Sequence, residues 1–357
     1  MFIALLSRDA EPTRRAISRP AALVSTCTQC HQDLVQSFAR TGHAQTLRDA
    51  GSKEIVQRFT QSDDENLPIR FEKHQGRLWV FPKDEPELRR PVQWCFGSGR
   101  HAQTLVSLSE SPRGQSVGCE LSVSWYPDVG LASTLGQFTL ESEESEFLGN
   151  HLTANQTMNC FACHTTYLPV RKSAHVWEGD EKSFNVHINA RSVEGLIGAG
   201  VQAGVFCQRC HPKSPTHVKQ AEADGWKGDT SILEKWSDLP PLESVNRCGE
   251  CHRRADEFTA EELTKENSRI VRFASVGLSL SRCFTESGQL TCLNCHDPHA
   301  ALETGKDFYE QKCRQCHGDQ NDSFACSNRQ TTDCLRCHMP KRELHPHLSF
   351  TDHWISK

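Results

Sequence analysis

One five-residue pattern, Cys-x-x-Cys-His, recurs seven times and constrains this chain more than any other feature. It occurs as CTQCH from Cys27, CFACH from Cys160, CQRCH from Cys207, CGECH from Cys248, CLNCH from Cys292, CRQCH from Cys313 and CLRCH from Cys334. These are numbered here as motifs 1 to 7. Together they use fourteen of the eighteen cysteines. Zinc takes CxxC pairs two to an ion and does not need a histidine after the second cysteine. Seven is odd, and a histidine at that position seven times over is not chance where His is 18 of 357 residues. The pattern is that of covalent haem c attachment. Two thiols add to the porphyrin vinyl groups, and the adjacent histidine reaches the iron from one face. The attachment residues are then Cys27, Cys30 and His31; Cys160, Cys163 and His164; Cys207, Cys210 and His211; Cys248, Cys251 and His252; Cys292, Cys295 and His296; Cys313, Cys316 and His317; and Cys334, Cys337 and His338.

Seven porphyrins leave about 51 residues for each, so porphyrin faces replace much of an ordinary Leu, Ile and Val core. A haem-free chain is expected to fold poorly. The formal charge is −5 with histidine neutral. Fourteen propionates and seven singly positive ferric porphyrin cores take it to about −12, which disfavours nucleic acid and favours a redox protein with a basic patch. Haem attachment to CxxCH takes place outside the cytoplasm, so a periplasmic or otherwise extracytoplasmic location is expected. The stretch MFIALLSRDAEPTRR is nevertheless a poor signal peptide, because its apolar run Phe2–Leu6 falls short of the roughly 7–15 residues of an h-region. No stretch approaches the roughly 20 apolar residues of a membrane-spanning helix.

The spacing of the motifs divides the chain. Motif 1 stands alone, a gap follows, and six motifs crowd the last 200 or so residues. Three regions are expected: 1–53 with motif 1, a small antiparallel β-region over 54–140, and a six-haem helical and loop region over 141–357. The β-region is read from short alternating runs, EIVQRF, LPIRFEK, RLWVFPK, VQWCFGSG, AQTLVSLS and CELSVSWYP, with HQGR and SPRGQ as turns between them. Elsewhere the expectation is a mainly α fold with extensive loops around a multihaem core. QDLVQSFARTGHAQTLRDA after His31 and TAEELTKENSRIVRFA from Thr259 both have helical spacing. The acidic run ESEESEF (141–147) marks a solvated boundary. GLIGAGVQAG (195–204) lacks the strand–helix context of a dinucleotide loop.

A six-coordinate haem needs a ligand on its second face. Methionine is scarce: Met1 is terminal, Met158 lies two residues before motif 2, and Met339 adjoins His338 and cannot cross to the other face of that haem. Histidine is plentiful, so bis-histidine, low-potential haems are expected. His299 follows Asp297-Pro298, a turn leading out of its own haem site towards a neighbour. His217 follows motif 3 by the short loop PKSPT. His101 and His43 share the string His-Ala-Gln-Thr-Leu, which suggests a short repeat or similar ligand helices. His345, His347 and His353 cluster near the C-terminus. His151, His175 and His187 are the further supply, and His74, beside Gln75-Gly76, reads as a turn residue. Supply meets demand, so all seven haems are expected to be six-coordinate. The haem of motif 2 has the least defined partner.

The strings GSGRHAQTL, SWYPD, CFACH, CQRCH, SRCFTESGQLTCLNCHDPHA and DCLRCHMPKRELHPHLSFTDHWI follow one another in order. The chain thereby resembles the multihaem cytochromes c of the cytochrome c-554 and hydroxylamine oxidoreductase-like superfamily, in the group often fused to tetratricopeptide repeats. The resemblance runs from about Thr26 to Ile355, and the repeats themselves are not in this sequence. It implies distal ligands in the GSGxHA, CHDPH and TDHxI elements, at His101, His299 and His353. HPKSPTH departs from the Gly-Pro-Gly loop of that group.

Cys95, Cys119, Cys283 and Cys326 lie outside the motifs. Four cysteines allow three pairings. Cys95 and Cys119 flank a turn between two proposed strands, which suggests a cross-strand bridge and leaves Cys283 for Cys326; free buried thiols are the other reading. Two functions stay open. One is an electron carrier with seven closely packed haems. The other is an oxidoreductase in which one open haem takes a small nitrogen or sulfur compound. No CxxCK replaces a CxxCH, and none of Tyr126, Tyr167 and Tyr309 stands in the context of a haem cross-link. Electron transfer is therefore favoured. A structural module is disfavoured, since seven redox centres exceed its needs.

Overall fold

A computed structural model describes residues 26–61, 64–137, 148–166, 196, 201–223, 225–318 and 333–356. The N-terminal stretch, the acidic run 141–147, residues 195 and 197–200 of the glycine-rich stretch, Tyr167, His175, His187 and Cys326 lie outside these residues.

Alternating sequence after residue 66 produces two sheets. β2 (Ile69–His74) and β3 (Arg77–Pro82) form a hairpin, and β4 (Arg90–Val92) adds to β3. The Gln75-Gly76 turn has φ of 49° and 78°, which suits a two-residue hairpin connection, so His74 is a turn-flanking residue. The larger antiparallel sheet has the order β1 (Leu47–Asp49), β5 (Trp94–Phe96), β6 (Gln103–Glu110), β7 (Ser116–Tyr126) and β8 (Gly130–Ser133), with β9 (Gly149–His151) also on β7. Successive side chains point to opposite faces, and the two faces carry two cores. Ile55, Phe59, Leu78, Val80, Cys95, Leu105 and Leu121 form one. Leu47, Trp94, Phe96, Val106, Leu108 and Phe161 form the other.

The mainly α expectation is overturned. Among the described residues 37% are helical and 22% lie in strands, in sheets of six, three and two. The strands run beyond the expected β-region: β1 and β9 join the large sheet, and β10 (Lys341–His345) pairs with β11 (Leu348–Thr351). The expected helix after His31 stops at Phe38, because the backbone turns at 39–46 and Leu47 pairs with Phe96. The run EIVQRF is a helix, Lys53–Thr60, because Ile55, Val56 and Phe59 fall on one helical face. The helix expected from Thr259 is replaced by turns. The Glu262 carboxylate accepts from Thr259 N–H at 2.9 Å, and Asn267 starts a separate short helix, Ser268–Val271, accepting from Arg269 N–H at 3.2 Å. Local side-chain acceptors compete here with a continuous helix.

The Cys95–Cys119 bridge is also corrected. Cys95 opposes Leu105 and Cys119 opposes Ser107, so the two cysteines lie on either side of β6 with a whole strand between them. Two interstrand steps of about 4.8 Å exceed the Cα separation a disulfide tolerates. Both are free, buried thiols, and burial pushes Cys95 up to about 12 and Cys119 up to about 11. Alkylation is expected to miss both in the native protein and to label both after unfolding without reductant. A bridged peptide in the map would refute the strand order.

Candidate functional site

A short helix puts Cys at i and i+3 on one face with His at i+4, and most motifs end such a helix. Motif 2 closes the helix Ala154–His164, which starts at a capping box: Thr153 Oγ1 accepts from Gln156 N–H at 3.3 Å, and Gln156 Oε1 accepts from Thr153 N–H at 2.8 Å. Phe161, fully buried, sits 6.0 Å from the Trp94 ring and 5.2 Å from Phe96. Motif 4 ends the helix Pro241–His252, motif 6 ends Lys306–His317, and motif 7 is the helix Cys334–His338. Motif 3 opens on the one-turn α-helix Cys207–Cys210. Motif 5 opens on a 3₁₀ turn, Cys292–Asn294, where Asn294 Oδ1 accepts from Thr291 N–H at 2.6 Å.

Four motif histidines face a second histidine from a distant part of the chain. The ring centroids of His31 and His217 are 6.4 Å apart, those of His43 and His252 6.1 Å, those of His211 and His299 6.1 Å, and those of His296 and His353 6.3 Å. A nitrogen–iron bond of about 2.0 Å and about 1.2 Å from ring centre to nitrogen give about 6.4 Å between imidazoles on opposite faces of one iron. The residues therefore fit a bis-histidine haem at each pair. Among the described residues no group of three or more His, Cys, Asp or Glu is arranged to hold a bare metal ion. The motifs offer pairs of donors across a gap.

The electrostatics suit ligation. Burial holds His43, His164, His211 and His353 below the ordinary imidazole range. His252 falls to about 4 through burial and then through the neighbouring His43, His164, His353 and His296. His296 falls to about 4 through burial, then His353 and Arg100. A neutral imidazole is the form that binds metal. Several rings also commit Nδ1 elsewhere, which leaves Nε2 for the metal. His164 Nδ1 lies 2.9 Å from Thr46 O and 2.7 Å from Thr46 Oγ1. His338 Nδ1 donates to Ser356 O at 2.7 Å, and His353 Nδ1 donates to Thr351 O at 3.0 Å. His299 Nδ1 is 3.2 Å from Asp297 Oδ1.

The motifs also touch one another. Cys163 lies beside Cys251, Cys292 beside Cys248, and Cys207 beside Cys27. Cys210 neighbours Cys248 and Cys251, and Cys313 neighbours Cys334, Cys295 and Cys283. Cys283 also neighbours Cys316. Motif 4 thus meets motifs 2, 3 and 5.

The remaining candidates are placed differently. The loop expected before His217 is the start of a helix, Ser214–Ala221, with Pro215 in its first turn. The two His-Ala-Gln-Thr-Leu strings are neither helices nor adjacent turns of one element. They enter β1 and β6, the two neighbours of β5, so the repeated sequence brackets Phe96. Phe96 in turn lies 5.0 Å from the His164 ring. His101 packs on Phe350 at 4.7 Å. His345 and His347 both flank buried Tyr126, at 5.6 and 5.5 Å. His151 is exposed on β9. Sequence reasoning missed Thr46 and Ser356; Tyr309, set aside as a haem cross-link, has its hydroxyl 3.4 Å from His296 Nδ1. Backbone acceptors carry no sequence signal.

No helix among the described residues is long and apolar enough to cross a membrane. No family model matches the chain, and no curated protein matches it. Among solved structures it is similar to the outer cell wall cytochrome OcwA, at 14% sequence identity and a TM-score of 0.51, over 93% of this chain and 78% of that one. At that identity the likeness is one of fold, and the chain has the fold of a cytochrome.

Proposed function

We propose that this protein is a seven-haem c-type cytochrome that passes single electrons between redox proteins outside the cytoplasm. The observation that carries the reading is the set of four histidine pairs at 6.1–6.4 Å. Each joins a CxxCH histidine to one far away in sequence. A haem c bound at each motif would supply a one-electron Fe(III)/Fe(II) couple. The chain's own residues do the rest. His31 with His217, His211 with His299, His252 with His43 and His296 with His353 would hold four haems from both faces. His164, His317 and His338 would hold the others from one face, with His101, His151, His175, His187, His345 and His347 as the supply for the second.

The contacts between motifs support the order 1–3–4–5–6–7, with motif 2 joining at motif 4. Cys30 and His31 at one end, and Cys337 at the other, are exposed. The ends of the row would then meet partners. The ordered strings from GSGRHAQTL to TDHWI favour the cytochrome c-554 and hydroxylamine oxidoreductase-like group, and the fold of an outer cell wall cytochrome agrees with a location outside the cytoplasm. The second reading, an oxidoreductase for a small nitrogen or sulfur compound, centres on motif 2. Among the described residues the ring against His164 is Phe96, not a second histidine.

Mass measurement of the matured protein is expected to give the chain plus seven haem groups. Six or fewer would sink the motif argument. Electron paramagnetic resonance of the oxidised protein is expected to show low-spin haem alone, with no reaction to nitrite or hydroxylamine. A stoichiometric high-spin ferric signal that cyanide converts to low-spin would replace the carrier reading with the enzymatic one.

A further inference from the structure

We infer that the helix Ala274–Leu280 is a strut between two haem sites, and that Gly277 sets the reach of His353. The inference rests on the reading of His353 as second ligand to the haem of motif 5. The helix is buried through Ser275, Val276, Gly277 and Leu278, and it touches ligand-bearing backbone on two sides. On one side the Ser275 hydroxyl donates to His252 O at 2.9 Å and also to Arg253 O, so it grips the end of motif 4. On the other side, a Cβ at Gly277 would stand 2.8 Å from Trp354 N, 3.0 Å from His353 C and 3.5 Å from His353 Cα. Those atoms are backbone and cannot rotate away. A methyl group there must push His353 out, or push the helix back towards motif 4.

His353 has little freedom to absorb the push. Its Nδ1 is committed to Thr351 O at 3.0 Å, and Asp352, buried, accepts from Trp354 N–H at 2.9 Å while pairing with Arg342 Nε at 2.9 Å. The TDHW turn therefore moves as a unit. An iron–nitrogen bond of about 2.0 Å has no slack for a displacement of several tenths of an ångström. The same device recurs at His43: a Cβ at Gly204 would lie 2.4 Å from Ala44 O, the residue after that histidine. In both places a glycine lets another segment's backbone close on the turn that carries a distal histidine, so Gly277 is a positioning residue.

The test compares three variants of the matured holoprotein by electron paramagnetic resonance and optical spectra. His353→Ala is expected to turn one haem in seven high-spin. Gly277→Ala is expected to turn the same haem high-spin, with added imidazole restoring the low-spin spectrum. Gly305→Ala, whose Cβ would meet only a side-chain oxygen at 3.4 Å and Phe308 Cβ at 3.9 Å, is expected to change nothing. A low-spin Gly277→Ala protein beside a high-spin His353→Ala protein would overturn the strut alone. An unchanged His353→Ala spectrum would overturn the ligand reading beneath it. Should Gly277→Ala not accumulate, Ser275→Ala releases the other end of the helix. Redox titration is then expected to show a shifted potential for the motif 4 haem, and an unshifted titration would sink the strut.

Discussion

Replacing His299 with alanine is expected to turn one low-spin haem high-spin, the one attached at Cys207 and Cys210 and not the one attached at the adjacent Cys292 and Cys295. The His299 ring stands 6.1 Å from His211, with the two planes 6° apart. Asp297 Oδ1 holds the loop by accepting from His299 N–H at 2.9 Å and fixes the ring through Nδ1 at 3.2 Å. An alanine removes the nitrogen and nothing nearby replaces it, because the carboxylate of Asp297 already serves the loop backbone. The change should appear as loss of one of seven low-spin signals, recovered on adding imidazole. Asp297→Asn should leave the haem low-spin and move its potential, since the partner of Nδ1 tunes the basicity of a ligating imidazole. An unchanged spectrum in His299→Ala would reduce His299 to a loop residue and break the link from motif 5 to motif 3.

Replacing Phe161 with alanine is expected to cost about 3–5 kcal/mol, the range for emptying a fully buried aromatic site. The side chain is fully buried between Trp94 and Phe96. The walls resist collapse, because Trp94 Nε1 donates to Leu196 O at 2.9 Å and Phe96 is tied by the pairing of β5 with β1 and β6. Phe161 also belongs to motif 2, between Cys160 and Cys163, so the loss falls on the joint between the sheet and the helix that carries that motif. Denaturant unfolding followed by far-ultraviolet circular dichroism, at equal haem content, measures it. Leu34→Ala is the control, since Leu34 is 46% exposed and such a change stays within about 0.5 kcal/mol. A Phe161→Ala loss equal to that of the control would mean that haem, not the sheet, anchors this helix.

The sequence by itself determined where the seven Cys-x-x-Cys-His motifs lie, because two cysteines and a histidine within one short turn are a local pattern. It also determined most strands between residues 69 and 126, where period-two alternation is a local signal, and it named the histidines available as second ligands. Tertiary structure decided the rest. His43 and His252, or His31 and His217, are about two hundred residues apart, and nothing local states that their rings end some 6 Å apart. The string His-Ala-Gln-Thr-Leu was visible twice, but that its copies bracket Phe96 from both sides is a fact of strand order. Cys95 and Cys119 flank a plausible turn in sequence, and a whole strand keeps them apart in space. The helical spacing of TAEELTKENSRIVRFA lost to side-chain acceptors at Glu262 and Asn267. Covalent chemistry is written into adjacent residues, whereas coordination from the far face of a haem depends on which distant segments pack together.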